Sequence, residues 1–321
     1  VKKLSDRVLK VLERREGEFI SGSSIATELG VSRTAVSKAI ASLRRKGFVI
    51  KSHPRLGYKL VWSDDLSTAQ QYLSDLHTEL KFTVYYLPST RSTQDVARNL
   101  AEEGVPEGVV ILAERQTAGR GRLGRTWYSE PGGLWMTLVL RPKISPMQVQ
   151  LLSLLAGVAI ARAIKNLYDL SPGLKWPNDV LVEARKVCGI LVEVSAETDV
   201  INYSLLGIGI NVNNKLPSEL RESATSIHEI LGKRVPRIPL LRAVLIEIDR
   251  MYEHLKRGRK EALIKEWKKY STTLGRRVRV IYSDREFEGE AIDIGGDGSL
   301  ILRLNDGSKI RVTVGDIVHL R

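Results

Sequence analysis

The chain holds a single cysteine, Cys188, among 321 residues. One thiol excludes an intrachain disulfide scaffold and any zinc cluster built on several cysteines, and it suits a reducing compartment. Long apolar runs are scarce as well. The longest, Leu151 to Ala161, is interrupted by Ser153 and followed by Arg162 and Lys165, well short of the roughly 18 apolar residues that a membrane span requires. A buried helix is expected there, with no membrane association. The chain does not open on the basic-then-apolar pattern of a secretory signal, so a cytoplasmic setting is expected.

What the chain has in excess is positive charge: 50 Lys and Arg against 37 Asp and Glu, a formal +13. The excess is uneven. Residues 1–62 carry fourteen basic and five acidic side chains, and residues 276–321 carry eight of each. Most of the surplus therefore sits in the first fifth of the chain, which is expected to meet a polyanion, most simply nucleic acid. At 43% apolar residues the chain can bury real cores, and its length predicts two or three domains.

The basic front end has helix-turn-helix spacing. Leu4, Val8, Val11 and Leu12 form the stripe of an amphipathic helix ending near Gly17. Ser23-Ser24 can cap a second helix that Gly30 ends, and Ser32 can cap a third, running to about Lys46 and closed by Gly47. Val36, Ile40 and Leu43 then face a core, while Arg33, Thr34, Ser37 and Lys38 occupy the outward N-terminal part of the third helix, where a recognition helix meets base edges. Phe48–Ile50 and Tyr58–Val61 read as strands around a turn bearing His53 and Arg55, which makes a wing. Residues 63–80 read as a linker helix.

In the middle of the chain, Phe82–Leu87 reads as a strand, followed by a helix from about Gln94 to Glu103 whose start, Ser92-x-x-Asp95, resembles a capping box. Standing alone, Ser92 and Thr93 are helix caps; beside a ligand, the same helix N-terminus becomes a binding surface. The strand Val109–Glu114 feeds Gln116 and then Gly119-Arg120-Gly121-Arg122-Leu123-Gly124-Arg125, with Trp127 just beyond. Glycines allow close backbone approach and arginines offer forked donors to phosphate or carboxylate oxygens. Leu134–Leu140 is the next strand, and a long helix spans about Pro146 to Tyr168. Leu174–Val182 and Lys186–Glu193 read as a β-hairpin whose first strand Pro177 breaks, presenting Asn178 and Asp179 at a kink. Lys186 is either a solvated strand end or a site residue. Leu205–Asn213 is a strand with alternating glycines that could admit a flat ligand, and Asn211 and Asn213 lie at its end. Two helices, Leu240–Leu255 and Ala262–Tyr270, precede alternating strands and turns from Arg276 onward that look like a small SH3-like barrel.

Together, Ser92-Thr93-Gln94, Gln116 through Arg125, Lys175-Trp176-Pro177-Asn178-Asp179, Arg185-Lys186-x-x-Gly189-Ile190-Leu191-Val192-Glu193 and Gly207-Ile208-Gly209-Ile210-Asn211 resemble the biotin protein ligases in order and spacing. With the winged helix in front, the resemblance is to the bifunctional class that also represses the biotin operon. It implies an α+β chain: a winged helix-turn-helix over 1–62, a linker over 63–80, a mixed-sheet biotin/lipoate ligase-like catalytic domain over 81–272 and the SH3-like barrel over 273–321.

The resemblance also implies chemistry. Biotin and Mg-ATP give biotinoyl-5′-adenylate and pyrophosphate, and a lysine of a biotin carboxyl carrier domain attacks the mixed anhydride. Lys186, Arg120, Arg122 and Asp179 would be catalytic. Ser92, Thr93, Gln94, Gln116, Gly119, Arg120, Gly121, Arg122, Lys186 and Gly189 would hold biotin. Arg122, Trp127, Lys175, Asn178, Lys186 and Asn211 would hold the nucleotide, with Trp127 beside the adenine. Mg²⁺ would arrive on ATP oxygens rather than in a protein metal site. Arg33, Thr34, Ser37, Lys38 and Arg55 would meet operator DNA, bound by a homodimer that forms when the adenylate is present. The C-terminal module is either a structural cap or an aid to ATP and carrier engagement. Two other readings stay open: a DNA-binding ligand sensor without catalysis, and a lipoate ligase.

Overall fold

The computed structural model describes residues 3–15, 17–45, 48–61, 64–282, 285–313 and 315–320. The expected helix close at Lys46-Gly47 and the expected boundary between Trp62 and Ser63 lie outside the described residues.

The front end folds as its periodicity dictates. Helices α1 (Leu4–Arg14), α2 (Gly22–Leu29) and α3 (Arg33–Arg45) pack with the hairpin β1 (Val49–His53) and β2 (Gly57–Val61). Val8, Val11, Leu12, Ile25, Val36, Ile40, Leu43 and Leu60 form the core between them. The α2 cap is Ser21, whose Oγ accepts from Ser24 N at 3.0 Å, not Ser23 or Ser24, because the helix already begins at Gly22. Ser32 caps α3 through Ala35 N at 3.1 Å.

The expected linker helix is much shorter than its span. A turn at Leu66–Thr68, opened by Asp65, leads into α4 (Ala69–Leu73) only. Beyond it the chain is tied down from outside: Asp249 accepts from the backbone N–H groups of Glu79 and Leu80, at 3.2 and 2.8 Å. Those donors are then satisfied without a helix.

The central sheet has seven strands, β3 (Thr83–Leu87), β4 (Val109–Ala113), β5 (Leu134–Leu140), β6 (Gly173–Lys175), β7 (Asp179–Val182), β8 (Arg185–Glu197) and β9 (Val200–Ile210), in the order β3-β4-β5-β9-β8-β7-β6. Only β3 and β4 run parallel, joined by the crossover helix α5 (Thr93–Glu102); the other neighbours are antiparallel. Ala97 and Ala101 of α5 pack on Ile111, Val139 and Leu205. On the main core stand α6 (Gln150–Tyr168), the short α7 (Ile227–Leu231), α8 (Arg237–Lys256) and α9 (Lys260–Tyr270). With the turn before it, α6 is long and apolar enough to cross a membrane, yet 72% of its apolar 18-residue window is buried inside the protein, as a core helix is.

One expectation is corrected here. Leu174–Val182 is not a single kinked strand: β6 and β7 pair antiparallel, Lys175 opposite Asp179, and the chain reverses at Trp176-Pro177-Asn178. Pro177 has no N–H to give a ladder, so the reversal falls on it. Its carbonyl accepts instead from Ser153 Oγ and Gln150 Nε2 of α6, at 2.9 and 3.0 Å.

The C-terminal strands β10 (Arg277–Tyr282), β11 (Arg285–Ile294), β12 (Leu300–Leu304), β13 (Lys309–Val312) and β14 (Asp316–His319) form an antiparallel sheet ordered β13-β12-β11-β10-β14. Among the described residues β13 and β14 do not pair, so the SH3-like barrel is open. Trp176 fastens this sheet to the central one: its Nε1 donates to Gly298 O at 3.0 Å, and its backbone N–H to Thr273 Oγ1 at 3.1 Å.

Candidate active site

The long loop after β4, the turns that join β6 to β7 and β7 to β8, the segment after β9, the N-terminus of α5 and the edge of the C-terminal sheet surround a cavity of about 910 Å³. Ser92, Thr93, Gln94, Gln116, Arg120, Gly121, Arg122, Trp127, Lys175, Asn178, Asp179, Lys186, Gly189 and Asn211 all line it. Gly119 lies just behind: a Cβ there would stand 2.4 Å from Trp127 O and 2.6 Å from Ser129 Oγ, so only glycine fits.

The glycine-arginine segment is an ordered small hairpin. Trp127 N donates to Gly119 O at 2.9 Å and Gly121 N to Arg125 O at 2.7 Å, while Leu123 and Gly124 turn the tip at positive φ. This geometry sends the arginines apart. Arg120 Nη1 bonds Asp95 Oδ1 at 2.7 Å, with Glu193 at 3.7 Å. Arg122 donates to Asn178 Oδ1 and to Gly315 O, both at 3.2 Å, and stands 3.5 Å from Asp316, which also pairs with Arg125. Burial lowers the Arg122 pKa, against the opposing pull of Asp316 and Asp179.

Lys186 is no solvated strand end. Its Nζ lies 2.7 Å from Asp179 Oδ1 and 5.1 Å from the centre of the Trp127 ring. Asn178 is fixed on β8, donating through Nδ2 to Ile190 O at 2.8 Å and accepting from Ile190 N at 3.0 Å. Lys175 lines the outer part with Arg276 and His319; burial, reinforced by those two cations, pushes His319 down to about 4. Cys188, on β8 between Val180 and Ile210, is fully buried, and that burial raises its thiol pKa and leaves it unreactive.

The opposite end of the cavity is neutral. Thr93 donates from N and Oγ1 to Gln116 Oε1, at 2.8 and 3.0 Å, and Gln116 Nε2 donates to Ser129 Oγ at 2.8 Å. Ser92 caps α5 through Gln94 N at 3.3 Å. The floor is the glycine face of β8 and β9. Gly189 and Gly209 are opposed, and a Cβ on either would meet the Trp127 ring, at 2.9 and 2.3 Å. Trp127 lies flat there, edge-on to Trp135 at 6.4 Å. Asn211 is buried and tied through its Oδ1 to Asn214 Nδ2 at 3.1 Å, and its carbonyl accepts from Ile227 N.

The carboxylate partners, Asp95, Glu193 and Asp316, were not among the expected site residues. Asp95 was legible only as a helix-cap residue, and Asp316 lies 194 residues beyond Arg122 with no local signal. Far from this cavity, Arg33, Thr34, Ser37 and Lys38 are exposed on one end of α3, and Arg55 is exposed at the wing. His53 acts on the backbone of the wing. Its Nδ1 accepts from Arg55 N and Leu56 N, at 3.2 and 3.1 Å, which shapes the turn.

A cavity with Arg122 and Lys186 at one end and a neutral amide-hydroxyl network at the other, in a chain with a winged helix, fits a ligase that activates a carboxylate and carries a DNA-binding module. Family models agree along the chain: an HTH domain over residues 5–59, the biotin/lipoate A/B protein ligase family over 86–211, and the biotin protein ligase C terminal domain over 273–320. A bifunctional ligase/repressor of Bacillus subtilis is 35% identical over 94% of both chains, and that of Escherichia coli is 31% identical over 95% of this chain and 94% of its own. The Aquifex aeolicus biotin protein ligase, solved with biotin and ATP, is 31% identical with a TM-score of 0.66, covering 74% of this chain and 99% of its own. The chain belongs to the biotin protein ligase family, in its bifunctional ligase/repressor branch.

Proposed function

We propose that the cavity joins biotin to ATP and passes the biotinyl group to a lysine of a biotin carboxyl carrier domain, and that the adenylate-bound protein represses biotin synthesis genes. The carrying observation is the meeting of Arg122 and Lys186 beside Asn178 and Asp179 at one end of a cavity whose other end is the neutral Thr93–Gln116–Ser129 network, with Arg120 held on Asp95 in the first turn of α5. A carboxylate and an α-phosphate repel, so cations must neutralise both and hold them in line. Arg120, Arg122 and Lys186 meet those oxygens by exchanging their present carboxylate partners for the substrate's. Ser92, Thr93, Gln94 and Gln116 hold the ureido ring, with Gly119, Gly121 and Gly189 granting close approach. Lys175, Asn178, Asn211 and Trp127 flank the nucleotide. Asp179 orients Lys186 and, once Lys186 turns to the phosphate, is placed to take the proton of the incoming amine. The glycine-arginine hairpin shields the anhydride from water.

Mg²⁺ fits as an ion carried by the triphosphate, whose charge it would screen. The carboxylates lining the cavity, Asp179, Glu183 and Asp316, are each engaged by a cation of this chain, and Mg²⁺ takes few protein ligands.

The domain reading 1–62, 63–80, 81–272 and 273–321 is supported by the spans of the three family models. Arg33, Thr34, Ser37, Lys38 and Arg55 contact the operator. Two copies pair when the adenylate is bound; in support, among the described residues β8 from Leu191 to Glu197 pairs with β9 alone, leaving one strand edge open with Val194 and Val200 exposed nearby. This chemistry belongs in the cytoplasm, where carboxylases and operator DNA are found. Incubation with ATP, an apo carrier domain, and biotin or lipoate tests the reading. A biotinyl mass increment on one carrier lysine is expected; a lipoyl increment makes the protein a lipoate ligase, and no increment with retained DNA binding makes it a sensor.

A further inference from the structure

The segment 115–131 carries Gln116, the glycine-arginine hairpin, Trp127 and Ser129, and it leaves the central sheet after β4 and rejoins it before β5. Both of its stems are held by one side chain from elsewhere. Arg237, in the first turn of α8, is 4% exposed and does not line the cavity. Its Nη1 donates to Glu114 Oε1 at 2.9 Å on the outgoing stem and to Gly133 O at 3.0 Å on the returning one. The same Glu114 oxygen accepts from Gly132 N at 3.1 Å, which closes the stems on each other. The remainder of the guanidinium engages the stretch that follows the winged helix: Nε donates to Asp64 Oδ1 and Nη2 to Asp64 O, both at 2.7 Å.

Only a forked, planar donor set can reach both stems and Asp64 at once; the ammonium of lysine offers its donors from a single point. The returning stem has little slack of its own. Gly132 sits at positive φ with its carbonyl accepting from Asn213 N at 2.8 Å, and a Cβ on Gly133 would stand 2.0 Å from the Trp135 ring. From the stems to the cavity the path is short. Gln116, two residues beyond Glu114, pairs with Ser129 through its backbone N–H at 3.0 Å and through its side-chain amide at 2.8 Å. A change in stem separation therefore moves the Gln116–Ser129 pair and the hairpin between them.

We propose that Arg237 is a positioning residue for the reaction: it clamps the two stems of segment 115–131 and so holds Gln116, the glycine-arginine hairpin and Trp127 in register over the bound acyl-adenylate. The kinetic consequence rests on the biotin-ligase reading of the cavity; the clamp itself rests on the contacts alone. Asp64 orients the fork from the linker side, so its loss is expected to do less than loss of the fork.

The experiment compares the full-length wild type with Arg237→Lys, Glu114→Gln and Asp64→Asn. One readout is hydrogen exchange in peptides covering 115–131 against peptides of the core helix α6; the other is the release rate of adenylate formed in place from biotin and ATP. Arg237→Lys is expected to exchange about 10-fold faster in 115–131 with α6 unchanged, and to release the adenylate about 10- to 100-fold faster. Asp64→Asn should move both in the same direction by less. Glu114→Gln keeps an acceptor for Gly132 and weakens only the charged bond to Arg237, so it shows the same pair of changes and decides the matter should Arg237→Lys fail to fold. Faster exchange in α6 and in 115–131 alike marks a general structural role and overturns the proposal. Unchanged exchange in 115–131, or faster exchange there with an unchanged release rate, overturns it too. A wild type that forms no adenylate overturns the ligase reading instead, and the exchange comparison then decides the clamp by itself.

Discussion

The cavity and the front end use the same side chains in opposite ways. In the cavity, Arg120, Arg122 and Lys186 are partly buried and each is held by a carboxylate from another element, Asp95, Asp316 and Asp179. On the front end, Arg33, Lys38 and Arg55 are exposed and make no ion pair among the described residues. Paired, partly buried cations are pre-aimed and spend little on reorganisation when an anion replaces the carboxylate. Exposed cations add up along a polyanion and release its counterions. Charge number alone therefore misleads: on the proposed function the chain's surplus serves DNA contact, and the chemistry is done where charges nearly cancel.

The largest expected effect is at Lys186. Lys186→Met should slow adenylate formation by about 10²–10³-fold, read by single-turnover pyrophosphate release, with affinity for non-specific DNA unchanged; a matching loss in both activities would dissolve the distinction between the regions. Arg122→Gly comes next: loss of a cation and of the contacts to Asn178 and Gly315 should speed adenylate release by about 10- to 100-fold, and an unchanged off-rate would remove the lid role. On the other side, Arg33→Ala or Lys38→Ala should weaken operator binding by about 1–3 kcal/mol for a base contact, or lower the salt slope by about one for a phosphate contact, with ligation intact.

The smallest effect concerns acid. His319 is held near 4 in the folded protein, below its ordinary unfolded value of about 6.5. Between those values the unfolded chain binds more protons, so folding stability should fall as pH drops from about 6.5 toward 4 and change no further from this group below that. His319→Gln should flatten that limb of a Tm-against-pH curve, whereas an identical curve would show that the ring is solvated.

Much of this was legible in sequence wherever the signal is local. The stripe on α1, the caps and glycines of the front end, and the glycine-arginine and Lys-Trp-Pro-Asn-Asp segments all announce themselves within ten residues. What stayed hidden depends on distant partners. The linker stops being helical because Asp249, 169 residues from Leu80, takes its N–H groups. The reversal at Pro177 depends on α6 donating to its carbonyl, and the pairing of Arg122 with Asp316 depends on how the C-terminal sheet docks. Long-range ion pairs carry no periodicity, so residue type marks the cations and only the fold finds their carboxylates.

The division of labour between buried and exposed charge is tested most directly by one salt titration of both activities in the same protein. From 50 to 200 mM KCl, affinity for DNA should fall steeply, by about 10³-fold or more if six or more phosphates are contacted, while the single-turnover rate of biotinoyl-adenylate formation at saturating substrates should change by less than about threefold. Parallel declines, or DNA binding indifferent to salt, would contradict the account.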